Sequence, residues 1–270
     1  MRKKMKKLLL SIAMILITTI AHAQSITVIN NGKPGGSSDA RTKMYTEGLS
    51  KLGYDVNFEN ISKMGVAVDF FIKSNDPTLM VYYSHVPVSQ PLSHNSENFV
   101  MIEYAQPMYL CGTKSLQQLP DKVTVAYGKN YNPQMVEKLV NALGKTATVV
   151  PYKNSSAVLE AILGGDVDVA FNNQGKTLKY INSGKGQCFG HTGNSQTIGI
   201  DPIASDFDMP VMYATVIAKN VDIEKLRKEM LWLQETEMFV EYHTSKQLTK
   251  QTSDRNQELL TVKKSETAWK

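Results

Sequence analysis

Residues 149–174 read VVPYKNSSAVLEAILGGDVDVAFNNQ, and this stretch decides the fold class. Thr148, Val149 and Val150 form a β-branched run that Pro151 ends. Tyr152-Lys153-Asn154 make a turn, and Ser155 or Ser156 can cap a helix. Val158, Leu159, Ile162 and Leu163 then fall at i, i+1, i+4 and i+5, one apolar face of a short helix. Gly164-Gly165 stops that helix, and VDVAF alternates into a second strand. A strand–turn–helix–strand unit of this size is what a parallel sheet requires. The loops YKNSS and NNQG both follow strand C-termini, the edge on which open α/β sheets bind ligands. A helix N-terminus there offers unpaired N–H groups and a positive dipole end to an anion.

Working outward, the chain opens with Arg2, Lys3, Lys4, Lys6 and Lys7, an apolar run LLLSIAMILITTI, and Ala21-His22-Ala23. A basic region, an apolar region and an A-x-A site make a secretory signal peptide, cut after Ala23. No Cys lies near the cut to carry a lipid anchor. The formal charge of the whole chain is +5, but cleavage removes five basic residues and no acid, leaving 25 of each. A neutral mature chain has no electrostatic footprint for nucleic acid. The expectation is an exported periplasmic protein, monomeric, with no nucleic-acid partner.

SITVIN (25–30) reads as a strand, NGKPGGSSDA as a Gly-rich turn, and Ser37, Ser38 or Asp39 as the cap of a helix carrying Met44, Leu49 and Leu52. YDVNFEN and TLMVYY are further strands, separated by a short helical pattern that contains Val66, Phe70 and Phe71. FVMIEYAQPMYLCGT gives two extended pieces broken at Pro107, where the chain first crosses to a second domain. KVTVAYG is a strand, and Pro133 and Gly144 bracket the helix after it. KTLKYINSG and QCFGHTG begin the return, followed by the strand VMYATVIAK. DIEKLRKEMLWLQETEMFVEYH reads as one long amphipathic helix with Leu226, Met230, Leu233 and Met238 inward, and the polar tail after about 248 wraps the surface or frays.

Catalysis finds little support. Gly-x-Ser-x-Gly is missing, and no His stands near an Asp and a Ser in a triad-like order. GxGxxG and GK[ST] are missing too, so the first glycine turn is not a nucleotide loop. Asp166 and Asp168 lie two apart, on one face if extended, and are read as structural rather than as an acid–base pair. Without CxxC or HxxxH there is no metal-site spacing. Cys111 and Cys188 are either a disulfide, near both domain crossovers and so a staple at the hinge, or two buried thiols.

Binding is better supported. The candidate loops are rich in Gly, Ser, Asn and Tyr. They supply Gly35, Gly36, Ser37 and Ser38; Ser84 and His85; Tyr127, Lys129, Asn130 and Tyr131; Tyr152, Lys153, Asn154, Ser155 and Ser156; and Asn172 and Asn173. Backbone N–H groups, hydroxyls and amides of this kind hold a small polar anion. Asp39 is read as a helix cap, and Arg41 as the partner of an acid rather than of the ligand.

The run V-P-Y-K, the small-residue turn, the short helix and G-G-D-V-D-V-A-F resemble the second-domain signature of the Bug-type receptors, the periplasmic solute-binding proteins of tripartite tricarboxylate transporters. Pro34, Gly35, Gly36, Asp39 and Arg41 resemble that family's first-domain start. At Gly128–Asn132 the chain is bulkier and more charged than the family's Gly- and Ser-rich loop, and it is shorter around 85–100. The resemblance implies an α/β, two-lobed Venus flytrap, each lobe a mostly parallel sheet flanked by helices. It also implies closure on a small carboxylate, delivery to membrane permease subunits, no cofactor and no enzymatic activity. The expected divisions are 1–23 for the signal peptide, 24–110 and 188–270 for lobe 1, and 111–187 for lobe 2. The alternatives are a receptor of an ABC importer, a sensory ligand-binding protein of the same fold, or a periplasmic α/β enzyme.

Overall fold

In the computed structural model, residues 24–83, 92, 95–193, 198–203, 211–246, 248–250 and 253–268 are described. The segment read as a signal peptide lies outside them. Among the described residues no helix is long and apolar enough to cross a membrane.

Two sheets form because the chain alternates β-branched runs with amphipathic helices on both sides of Pro107. The first sheet is built from β1 (Ser25–Asn30), β2 (Asp55–Asn60), β3 (Thr78–Tyr83), β4 (Phe99–Gln106), β10 (Met212–Lys219) and β11 (Thr249–Lys250), in the order β11-β4-β10-β3-β1-β2. The second contains β5 (Met108–Gly112), β6 (Lys122–Gly128), β7 (Thr146–Tyr152), β8 (Val169–Asn173) and β9 (Gln187–His191), in the order β7-β6-β8-β5-β9. The expected strands are present. The sheets, however, are mixed rather than mostly parallel. β1, β2 and β3 run parallel, as do β6, β7 and β8, while β10 with its neighbours and β5 with its neighbours pair antiparallel. The strands that carry the chain between lobes, or follow such a crossing, make up the antiparallel half.

Helices cover both faces of each sheet. In lobe 1, α1 (Ser37–Lys51), α6 (Ile223–Leu233) and α7 (Glu237–Lys246) lie on one side, around Ile26, Val28, Leu49, Leu79, Val81, Met230 and Phe239. α2 (Met64–Lys73) and α8 (Arg255–Ala268) lie on the other, against Ile29, Met80, Phe99 and Ile102. The alternation 26/28 against 29 and 79/81 against 80/82 is the period of two that a strand imposes. In lobe 2, α3 (Pro133–Ala142) packs on Val123, Val125 and Val169, and α4 (Ser155–Gly164) and α5 (Gln174–Asn182) pack on Tyr109, Ala126 and Ala170.

The chain leaves lobe 1 at Pro107, the one residue between β4 and β5; Ile203 still packs in the lobe 2 core, and β10 belongs to the first sheet. The expected divisions at 110/111 and 187/188 cut through β5 and β9, yet both strands pair whole in the second sheet. The helix and strand read as the start of the return therefore belong to lobe 2, and His191 binds on to Pro202 and Ile203. Cys111 and Cys188 face each other across β5 and β9 and are bridged. The bridge lies inside lobe 2, not across the hinge as a staple would.

The sequence pattern is refined at three places. Phe71 is buried, but Val66 and Phe70 face outward; the inward face of α2 is Ala67, Val68 and Phe71, at i, i+1 and i+4. The long C-terminal helix breaks into α6 and α7 at Gln234–Thr236. There Gln234 is buried with its amide donating to the Glu103 carbonyl, and Glu235 and Thr236 close short turns back to Trp232 and Leu233. The tail does not fray. Glu258 of α8 takes the Ile102 N–H and a buried pair of N–H groups from Arg227, and Val262 packs on Phe99 and Ile102.

Candidate functional site

The parallel strands of both sheets point their C-terminal ends at one cleft between the lobes, a cavity of about 430 Å³. Lobe 1 brings Asn31 from the end of β1, Ser38 from α1, Ser62 and Met64 from the start of α2, and Tyr83 from the end of β3. Tyr104 and Gln106 of β4, Met212 of β10, Tyr242 and Lys246 of α7, and Leu248 complete that wall. Lobe 2 brings Asn130, Tyr131, Asn173 and Gly175.

The lobe 1 wall rests on the β1–α1 turn. Asn30 is fully buried; its amide donates to Asp39 (3.0 Å) and Asn60 (3.1 Å), and its oxygen accepts the Gly32 N–H (2.9 Å). A Cβ at Gly32 would stand 2.5 Å from the Ser38 Cβ, so only glycine lets the turn close there. Gly35 has φ 74°. α1 starts at Gly36, with no side chain capping it, rather than at Ser37, Ser38 or Asp39. Asp39, in the first turn, instead accepts the Gly35 N–H and pairs with Lys43. The Lys43 and Gly35 donors hold its carboxyl below the usual carboxylate range. α2 starts at Lys63, also without a side-chain cap, between the cleft residues Ser62 and Met64.

Behind this wall lies a buried charge. Arg41 pairs with an acid, as its position suggested: Nε lies 3.3 Å from Glu103, with both side chains at most 1 % exposed. The contact is electrostatic, since neither atom has a hydrogen-bond partner. Arg41 Nη1 donates to the Tyr104 hydroxyl (2.7 Å) and Nη2 to the Tyr83 hydroxyl. Burial opposes the guanidinium charge, but Tyr104, Tyr83 and Glu103 more than offset that, so its pKa lies above its ordinary value. Glu103 also lies 3.5 Å from His243 Nε2.

Lobe 2 is organised differently. Each of its described α-helices begins with an asparagine cap: Asn132 accepts from Gln134, Asn154 from Ser156 and Ala157, and Asn173 from Lys176. Asn154, not Ser155 or Ser156, thus caps α4. Asp168 receives the backbone and hydroxyl of Thr124 (2.8 and 2.7 Å), the structural role expected of it, while Asp166 lies in the turn before β8.

Of the residues expected at the site, Ser38, Asn130, Tyr131 and Asn173 line the cavity. Gly35 and Gly36 shape the turn, and Ser37 opens α1. Tyr127 is in the lobe 2 core, Tyr152 packs against the other face of the same sheet, and Lys129 and Lys153 are exposed. Asn172 is buried and donates to the Ser155 carbonyl, and Asn173 donates to the Ser155 hydroxyl. Asn154, Ser155 and Ser156 therefore serve the α4 start and do not line the cavity. Ser84 and His85 lie outside the described residues. The sequence reading passed over Asn31, Ser62, Tyr104, Gln106 and Lys246. One signal was available: Tyr242 and Lys246 are four apart and so share one helix face. Among the described residues no His, Cys, Asp and Glu group could hold a metal.

Solved structures share this architecture. BugD, a periplasmic binding protein, superposes with a TM-score of 0.64 at 17% identity, covering 91% of this chain and 95% of BugD. The fold is that of the Bug-type periplasmic receptors. MatC from Rhodopseudomonas palustris, with bound malate, gives 0.68 at 14% identity over 92% of this chain and 97% of its own. A second R. palustris protein, with adipate, gives 0.67 at 13% identity over 92% and 94%. No protein-family model and no curated protein matches the sequence. Against the Bug-type fold, the cleft described above lies between the two lobes, and the structural relatives are binding proteins.

Proposed function

We propose that this chain is a periplasmic receptor that captures a small organic anion, a carboxylate, between its lobes. It then presents the anion to a membrane permease of the tripartite tricarboxylate type. One observation carries the reading: the single charged side chain lining the cleft, among the described residues, is Lys246, on the wall where α1 and α2 begin uncapped. Uncapped helix starts and a lysine attract an anion, and amides from the opposite lobe complete its shell. The anion thus sits on lobe 1, not at the YKNSS turn. Malate in MatC and adipate in its R. palustris relative are carboxylates of the size this cavity admits. Contacts to both lobes favour the closed state by the ligand's differential affinity.

The test is a thermal-shift screen of the mature protein against mono-, di- and tricarboxylates, amino acids and aromatic acids. A carboxylate at a hundredfold excess over its Kd stabilises the fold by about 2.7 kcal/mol. Lys246→Gln then weakens that acid roughly tenfold. A panel in which only neutral or cationic compounds raise Tm defeats the carboxylate reading.

A further inference from the structure

Arg41 is the least exposed Lys or Arg among the described residues; it lies behind the cleft wall and does not itself line the cavity. What separates it from the cavity is a pair of phenols, Tyr83 and Tyr104, both lining the cleft and both accepting from it. A phenol oxygen that accepts from a guanidinium turns its own proton elsewhere. For Tyr104, a side chain only 5 % exposed, no acceptor for that proton exists among the described residues; the direction left open is the cavity. A phenol polarised by a cation on one side is a stronger donor on the other, because hydrogen bonds in series reinforce one another in a low-dielectric site.

We propose that Arg41 acts on the captured anion at one remove, with the Tyr104 hydroxyl as the terminal donor to its carboxylate. This rests on the carboxylate reading above. The arrangement gives the lobe 1 wall an attractive potential without exposing a second full charge beside Lys246. Glu103 balances the guanidinium from behind, so the site selects an oxyanion by a directed hydrogen bond as well as by net charge. Burial raises the Tyr104 pKa, which keeps the donor proton in place across the physiological range. Tyr83 has a second neighbour in Ser38, 3.3 Å away, and so is the less committed of the two.

The experiment is calorimetry of the mature protein with malate, adipate and benzoate. Tyr104→Phe keeps the ring and removes the donor; the acid that binds the unmodified protein best should weaken roughly 10- to 100-fold. Site-specific 3-fluorotyrosine at 104 keeps the size and strengthens the donor, so affinity should tighten, which a purely structural role would not produce. Arg41→Met combined with Glu103→Leu removes the pair without stranding a buried charge, and affinity should fall at least fivefold although no residue of the cavity lining has changed. Affinity within twofold of the unmodified protein in Tyr104→Phe, or not tightened by 3-fluorotyrosine, overturns the relay and leaves the receptor reading standing. Retained affinity in the double variant removes Arg41 from it. Failure of all three acids to bind the unmodified protein defeats the carboxylate reading and the relay together.

Discussion

The two walls of the cleft solve the problem of helix N-termini in opposite ways. In lobe 2 the three described α-helices all carry an asparagine cap, and Asn173 does this while also lining the cavity. In lobe 1 the two helices that begin at the cleft, α1 and α2, start at Gly36 and Lys63 without a side-chain cap. A capped helix has used its donors internally; an uncapped one keeps them for something else. Charge follows the same division, with Lys246 and the Arg41–Glu103 pair all on lobe 1. On the proposed function, lobe 1 is the wall that meets the anion and lobe 2 the wall that closes over it with neutral groups.

The comparison breaks most visibly where lobe 1 depends on buried charge. Glu258→Ala strands Arg227 in the interior and should cost about 3–5 kcal/mol, read as a fall in the urea midpoint. A loss under 1 kcal/mol would mean that water reaches this pair. Asn154→Ala should cost about 1 kcal/mol through the lost α4 cap and leave carboxylate affinity unchanged. A parallel loss of affinity would return the anion to lobe 2. The smallest effect is acid sensitivity. Asp39 has a lowered pKa, so its contribution is complete above its ordinary value of 3.8 and is lost as pH falls through the lower folded value. Asp39→Asn should therefore flatten the fall in Tm below about pH 4; an unchanged slope would place the acid response elsewhere.

Much of this architecture is written locally. The strand–helix–strand unit at 149–174 and the break at Pro107 are patterns within a few residues, and both appear in place. Gly165, in the left-handed region at φ 81°, stops α4 as its sequence implied. What was not legible depends on distant partners. Arg41 meets Glu103 across 62 positions of sequence, and Glu103 meets His243 across 140, so no periodicity announces the network. The break between α6 and α7 likewise hangs on Gln234 reaching the Glu103 carbonyl. Serine in a turn is ambiguous between capping and binding until the neighbouring asparagine is seen to take the cap.

The bridge between Cys111 and Cys188 joins the first strand of lobe 2 to its last. Its consequence is one of chain topology. Lobe 2 is an insertion in the middle of lobe 1, and its entry and exit are fastened side by side. Cut at Pro107 and after Ile203, it would be released as a covalently closed module whose ends need only a short linker to join. Lobe 1, whose sheet draws strands from both sides of the insertion, has no such independence and must wait for the C-terminal part of the chain before it can be completed.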